Sequence, residues 1–260
     1  MPELELWQFA FSHFNEKARW SLDYKKLPHR RRTFLPGMQV APVMKLTGQT
    51  SVPVLLVDGK GVFDSTRIIE TLERLSPEAR LYPTNAAERD RALELENFFD
   101  EELGPYDRQL LFYLVLPYPG FVVDCFGADS GLAARTAYRA AMPAVSIGMR
   151  RMMKIDAKHA EIAKSKTLAA FDRLESELGQ SEYLVGETFS VADLTAAALL
   201  SPIVLPREFP YLPKAEIPEP MQNLRDELCQ RRGYKWVEEM YRRHRGSSSS
   251  SGAMDTTAAD

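Results

Sequence analysis

Three places in the chain put chemically useful residues where backbone geometry would help them. The first is Phe11-Ser12-His13-Phe14-Asn15. Ahead of it, Leu4-Glu5-Leu6-Trp7-Gln8-Phe9 alternates apolar and polar side chains, the pattern of a strand with one buried face. After it, Phe14, Ala18 and Leu22 recur every four residues along one face of a helix. Ser12 therefore stands where a strand stops and a helix begins. Free backbone N–H groups and the positive end of the helix dipole gather there, a setting suited to an anionic sulfur or a carboxylate. His13, a lone loop histidine, is set aside as a bystander.

The second place is Asp64-Ser65, ahead of Thr66-Arg67-Ile68-Ile69 at a helix start. Either residue would cap that helix with no ligand present. Alternatively, the Ser65 hydroxyl and N–H would take up a carboxylate at the helix terminus. The third is Val52-Pro53-Val54-Leu55, a proline entering a β-branched run. A trans Pro53 would simply open a strand. A cis Pro53 would leave the Val52 N–H and C=O free to pair with a peptide-like ligand, as peptides add to sheet edges.

Periodicity and turn signals give the elements that must position these residues. Strands are expected over 4–9, over 31–35 before Pro36-Gly37, and over 52–57 and 61–63 on either side of Asp58-Gly59. Helices are expected over 14–25, 41–46 and 66–75, the last stopped by Ser76-Pro77. The order is βαβαββα. From Thr84 onward no strand signal survives. Helical spacing runs through 86–115, where Leu95, Phe98, Phe99, Leu103 and Leu110 share a face, and stops at Pro117-Tyr118-Pro119-Gly120. A helix-rich stretch covers 130–178, and a last helix covers 221–243. Ser190 with Asp193 resembles a capping box, and Phe189 with Leu194 fits a hydrophobic staple, so a buried helix is expected to begin at Ser190. Residues 116–143 are longer than a simple connection and are expected to shape a pocket or an interface. The Ser/Gly-rich residues 246–260 read as a disordered tail.

The composition excludes several classes. With 45% hydrophobic and 27% charged residues and a net charge of −3, the 260-residue chain has no electrostatic case for nucleic acid or an anionic membrane surface. No apolar run reaches the roughly 18 residues that span a bilayer, and Met1-Pro2-Glu3 opens no signal-peptide pattern. Cys125 and Cys229, the only cysteines, make neither a disulfide framework nor a metal cage, which points to a reducing cytoplasm and no metal.

A βαβαββα unit followed by an all-helical region, with a proline entering the third strand, resembles the cytosolic glutathione S-transferases over residues 3–243. The active-site turn resembles the serine type of bacterial members, with Ser12-His13-Phe14-Asn15 where the family carries that turn. Val52-Pro53-Val54-Leu55 is similar to its Val-Pro-x-Leu segment, whose proline is cis. Asp64-Ser65 resembles its Glu/Asp-Ser pair, and the box from Ser190 to Asp193 its helical-domain cap. The resemblance implies a thioredoxin-like glutathione-binding domain over 1–80 and an all-helical substrate domain over 86–243. It also implies a homodimer, glutathione as co-substrate, and a role in detoxification.

On that resemblance Ser12 is the catalytic residue, stabilising the glutathione thiolate by hydrogen bond, with Asn15 as an alternative contact to the thiol. Val52 and Pro53 would hold the peptide backbone, and Asp64 and Ser65 the γ-glutamyl end. The segment from Lys45 to Ser51 departs from the commonest family pattern, and Gln49 or Lys45 would take the glycine carboxylate. An apolar electrophile would lie over Phe11, Phe14, Phe112 and Tyr113. A turn without cysteine can polarise the sulfur but cannot bond to it. Conjugation is the expected reaction. A non-catalytic glutathione- or ligand-binding protein, or a glutathione-dependent isomerase or peroxidase, would use the same residues.

Overall fold

The structure is a computed structural model and describes residues 2–253. Its first part follows the expected order: β1 (Leu4–Gln8), α1 (His13–Tyr24), β2 (His29–Thr33), α2 (Val40–Thr47), β3 (Val54–Val57), β4 (Lys60–Phe63) and α3 (Ser65–Leu75). β1 pairs parallel with β2 and antiparallel with β3, and β3 pairs antiparallel with β4 through the Asp58-Gly59 turn. The alternation in β1 decides which face each side chain meets. Leu4 and Leu6 pack with Ala18 and Leu22 of α1 and with Ile68 and Leu72 of α3. Trp7 points the other way, to Phe34, Val43 of α2, and Val54.

The second part is helical: α4 (Ala86–Glu102), α5 (Gly104–Val115), α6 (Pro119–Phe126), α7 (Leu132–Met153), α8 (Ala157–Leu178), α9 (Val191–Val204), α10 (Glu219–Leu228) and α11 (Arg232–Met240). α9 is mostly apolar and every one of its residues, Asp193, Thr195 and Ser201 included, is buried, so it is the axis of this part. It begins where Ser190 predicts. The Asp193 carboxylate accepts from the backbone N–H groups of Ser190 (2.9 Å) and Leu184 (2.8 Å) and from the Ser190 hydroxyl (2.8 Å). α1 belongs to both parts, because Trp20, on the side away from the sheet, stacks on Phe189 just ahead of α9.

Three expectations need correction. The helix expected over 86–115 breaks at Leu103, and next to the break the Phe14 ring lies so close that a Cβ on Gly104 would meet its Cζ at 2.4 Å. The stretch 130–178 is helix-rich as expected and consists of two helices, separated after Lys154 turns left-handed (φ 52°). The helix expected over 221–243 is likewise two, α10 and α11, and α11 runs on into a π-helical turn at Tyr241–Arg245. The disorder expected from 246 does not hold through 253. Ser249 donates its N–H to Asp23 at 2.8 Å, and β5 (Ser250–Ala253) adds parallel to β2, giving the sheet order β4-β3-β1-β2-β5. The remainder of that tail, 254–260, lies outside the described residues.

Candidate active site

Ser12 sits immediately before α1 in extended backbone (φ −157°, ψ 127°), and its side chain forms no capping bond. Its Oγ instead accepts from Asn15 Nδ2 at 2.7 Å. Asn15 is fully buried, and its Oδ1 has no partner among the described residues. With the oxygen occupied as an acceptor, the serine proton is left to be donated elsewhere, and the amide that donates to Oγ polarises that O–H. The turn is braced from beneath. Arg19, wholly buried, donates to the carbonyls of Phe9 (2.8 Å) and Ala10 (3.0 Å) and to Gln8 Oε1 (2.9 Å).

His13 turns away from this pair. Its Nε2 bonds the Gly104 carbonyl at 2.8 Å, and because a carbonyl only accepts, Nε2 carries the proton. Burial, aided by nearby Arg108, lowers its pKa to about 3, so the ring is neutral and ties the turn to α5.

Between the sheet and the helical part lies a cavity of about 620 Å³. Ser12, Phe11 and Phe14 line it from the turn, Gln39 and Val52 from the sheet side, and Phe112 from α5. Tyr113 does not line it; it lies about 100° further round the helix than Phe112 and packs against the helical core. Part of the 116–143 segment does shape the pocket, since α6 contributes Phe121 and Phe126 to its wall.

The other candidates take separate positions. The Val52-Pro53 bond is cis, and Val52 precedes the paired register, which starts at Val54 opposite Trp7, so its backbone lies outside the ladder. Asp64 caps α3, its Oδ1 accepting from the N–H groups of Thr66 (3.0 Å) and Arg67 (3.3 Å), with Oδ2 unused among the described residues. It does so at φ 76°, a conformation that costs a non-glycine residue about 1–3 kcal/mol. Ser65 follows, buried at the first turn. Beneath it Lys17, Thr66, Glu96 and Asp100 join α1, α3 and α4, with Lys17 Nζ at 2.8 Å from Glu96 and 2.6 Å from Asp100. Burial pulls the Lys17 ammonium down, but the two carboxylates outweigh it and keep it charged. Gln49 is half-buried and does not line the cavity; its Oε1 accepts from the Ser51 hydroxyl at 3.1 Å.

Comparison with known proteins fits this geometry. Two family models match the chain, "Glutathione S-transferase, N-terminal domain" over residues 6–80 and "Glutathione S-transferase, C-terminal domain" over residues 137–223. The chain belongs to the glutathione S-transferase family. Among solved structures of similar fold is a glutathione S-transferase from Methylobacillus flagellatus with glutathione bound, at 17% identity and TM-score 0.58, covering 90% of this chain and 98% of that one. Another is the theta class glutathione S-transferase from Xanthomonas axonopodis with glutathione bound, at 18% identity and TM-score 0.56, covering 90% and 96%. A third is the beta-etherase LigF from Sphingobium, at 21% identity and TM-score 0.58, covering 91% and 98%. No curated protein matches the sequence.

Further residues that the sequence does not single out line the cavity of this family member. Arg108 lines the cavity from α5, in helical register with Leu111, Phe112 and Val115, which line it too. That register was the available signal, a cation at a position of the apolar stripe. Cys125 lines it from α6, but burial, with Asp124 nearby, pushes its thiol well up, so it is a small apolar wall and no nucleophile. Met149, Met152 and Met153 close the cavity from α7, a stretch whose methionines read as general helix-forming composition.

Proposed function

We propose that this member of the family binds glutathione and joins its thiolate to an electrophilic, largely apolar small molecule. The observation that carries the reading is the Asn15–Ser12 bond at the cavity wall, which leaves the serine proton available to a sulfur. An unperturbed thiol of this kind has a pKa near 8.5, and lowering it by about 2 units takes about 2.7 kcal/mol. One charge-assisted hydrogen bond contributes about 1.5–3 kcal/mol, so Ser12 is sufficient in magnitude. The thiol proton leaves to water, Ser12 Oγ–H donates to the sulfur anion, and a sulfur lone pair forms the S–C bond. In a substitution the leaving group departs with its bonding pair.

The remaining anchors hold the tripeptide over Ser12. The Val52 backbone pairs with the cysteinyl unit in the manner of an added strand. Ser65 takes the γ-glutamyl carboxylate at the start of α3, and Asp64 Oδ2 takes the α-ammonium. Gln49 or Lys45 takes the glycine carboxylate, and Phe11, Phe14 and Phe112 meet the electrophile. As the family resemblance implies, the protein works as a cytoplasmic homodimer.

Calorimetric titration with glutathione, followed by ultraviolet titration of the bound thiolate, tests this. The bound thiol should titrate at least 1 unit below free glutathione, and Ser12→Ala should return most of that shift (about 1.4 kcal/mol per unit). Absence of binding would refute the reading. A depressed pKa that survives Ser12→Ala would transfer the role to the backbone or Asn15. Electrophiles, hydroperoxides and isomerisable substrates assayed in parallel then identify the reaction.

A further inference from the structure

The chemistry above uses no cation in the second-substrate half of the cavity, yet one is present. Arg108 lines that cavity on the same helical face as Leu111, Phe112 and Val115. Among the described residues its guanidinium has neither an ion pair nor a hydrogen bond, and the nearby His13 is neutral. The setting works against the charge, and burial pulls Arg108 below its ordinary pKa with no carboxylate to offset it. A partly buried guanidinium costs free energy unless an anion meets its planar fork. Other buried arginines of this protein obey that rule: Arg31 meets Asp23, and Arg245 meets Glu16 and Asp23. Arg108 differs in that the volume beside it is an open cavity of about 620 Å³.

We infer that the second substrate carries a carboxylate, which Arg108 binds while an aromatic or other bulky apolar body fills the space among the phenylalanines and methionines. The identity of the site rests on the transfer reading above. The two carboxylates of glutathione have other partners in that reading, so the anion Arg108 lacks comes from the electrophile. A carboxylate suits it geometrically, since its two oxygens match two parallel N–H donors. The consequence is selectivity: neutral apolar compounds leave a desolvated charge unpaired and bind less well than acids of the same shape.

Two non-reactive probes of one shape, biphenyl-4-carboxylate and its methyl ester, test the inference by calorimetry, with and without saturating glutathione. The acid should bind the wild-type protein at least tenfold more tightly than the ester. Arg108→Gln should abolish that ratio, and Arg108→Lys should retain part of it, with circular dichroism verifying the fold of each variant. Equal affinities in the wild type, or an acid preference that survives Arg108→Gln, would overturn the inference. So would a tenfold loss of glutathione affinity in Arg108→Gln, because it would assign the guanidinium to glutathione itself. A protein that binds no glutathione would sink the transfer reading alone, since the acid-to-ester ratio is also read without glutathione.

Discussion

A serine hydroxyl can steady an anion only if its proton is not already spent, and that condition singles out Asn15 as much as Ser12. By donating to Oγ at 2.7 Å, the amide fills the acceptor side of the hydroxyl and leaves the donor side free. The division of labour differs from the expectation that either Ser12 or Asn15 makes the thiol contact. It gives a charge-specific prediction. Asn15→Asp keeps the shape but replaces the donor by a carboxylate that accepts the serine proton and adds a like charge near the thiolate. The bound thiol pKa should rise by about 1–3 units, measured by ultraviolet titration of the glutathione complex. A pKa unchanged from wild type would show that Asn15 takes no part in orienting Ser12. Ser12 was legible because a change of periodicity, from two to nearly four, brackets it. Arg108 was not, because an arginine in a helix reads as solvated unless its register with Leu111, Phe112 and Val115 is noticed.

Among the elements, α5 buries a carboxyl group that finds no partner among the described residues. Asp107 is wholly buried in its first turn, and neither carboxyl oxygen has a partner among the described residues. Burial alone raises its pKa well above the ordinary 3.8. The folded state therefore holds a proton that the unfolded chain releases above that pH, and folding stability falls as pH rises from about 4 toward the folded pKa. Asp107→Asn removes the titration and should stabilise the protein at neutral pH by about 1.4 kcal/mol for each unit of displacement. Urea midpoints at rising pH should start together near pH 4 and then separate in favour of the variant; parallel midpoints would refute the account. The elements themselves were largely legible where turn chemistry is local, as at Pro36-Gly37 and Asp58-Gly59. The α4–α5 break was not, because Leu95, Phe99, Leu103 and Leu110 keep helical spacing through it. What interrupts the helix is Pro105 in the first turn of α5, which has no N–H to bond the preceding turn, and the Phe14 ring packs where a side chain at Gly104 would stand.

At the scale of the whole molecule, the end of the described chain is tied to the turn that carries Ser12. Arg245 is buried, with Nε at 2.6 Å from Glu16 Oε1 and Nη1 at 2.8 Å from Asp23 Oδ2. Glu16 in turn bonds Arg19 at 2.8 Å, and Arg19 holds the Phe9 and Ala10 carbonyls of the turn. Asp23 also receives Arg31 and the N–H of Ser249, the residue ahead of β5. A tail of serine and glycine gives no local sign of this, because its order comes from acceptors more than 200 positions away. Burial pushes the Asp23 carboxyl up, but Arg245 and Arg31 outweigh it and hold the group below its ordinary 3.8. A depressed folded pKa contributes stability that is present above the unfolded value and is lost as pH falls through the folded one. Arg245→Met keeps the buried volume and removes the charge. Each carboxylate retains one guanidinium, so the loss should fall below the about 3–5 kcal/mol of a fully orphaned buried charge, at about 1–3 kcal/mol. The urea midpoint should drop at pH 7, and the further fall in stability between about pH 4 and pH 3 should be shallower than in wild type, because Asp23 then titrates nearer its ordinary value. Amide exchange of residues 246–253 should quicken in the same variant. An unchanged midpoint with an unchanged acid limb would mean that Arg245 merely fills space, and that the turn bearing Ser12 is braced by Arg19 without help from the chain's far end.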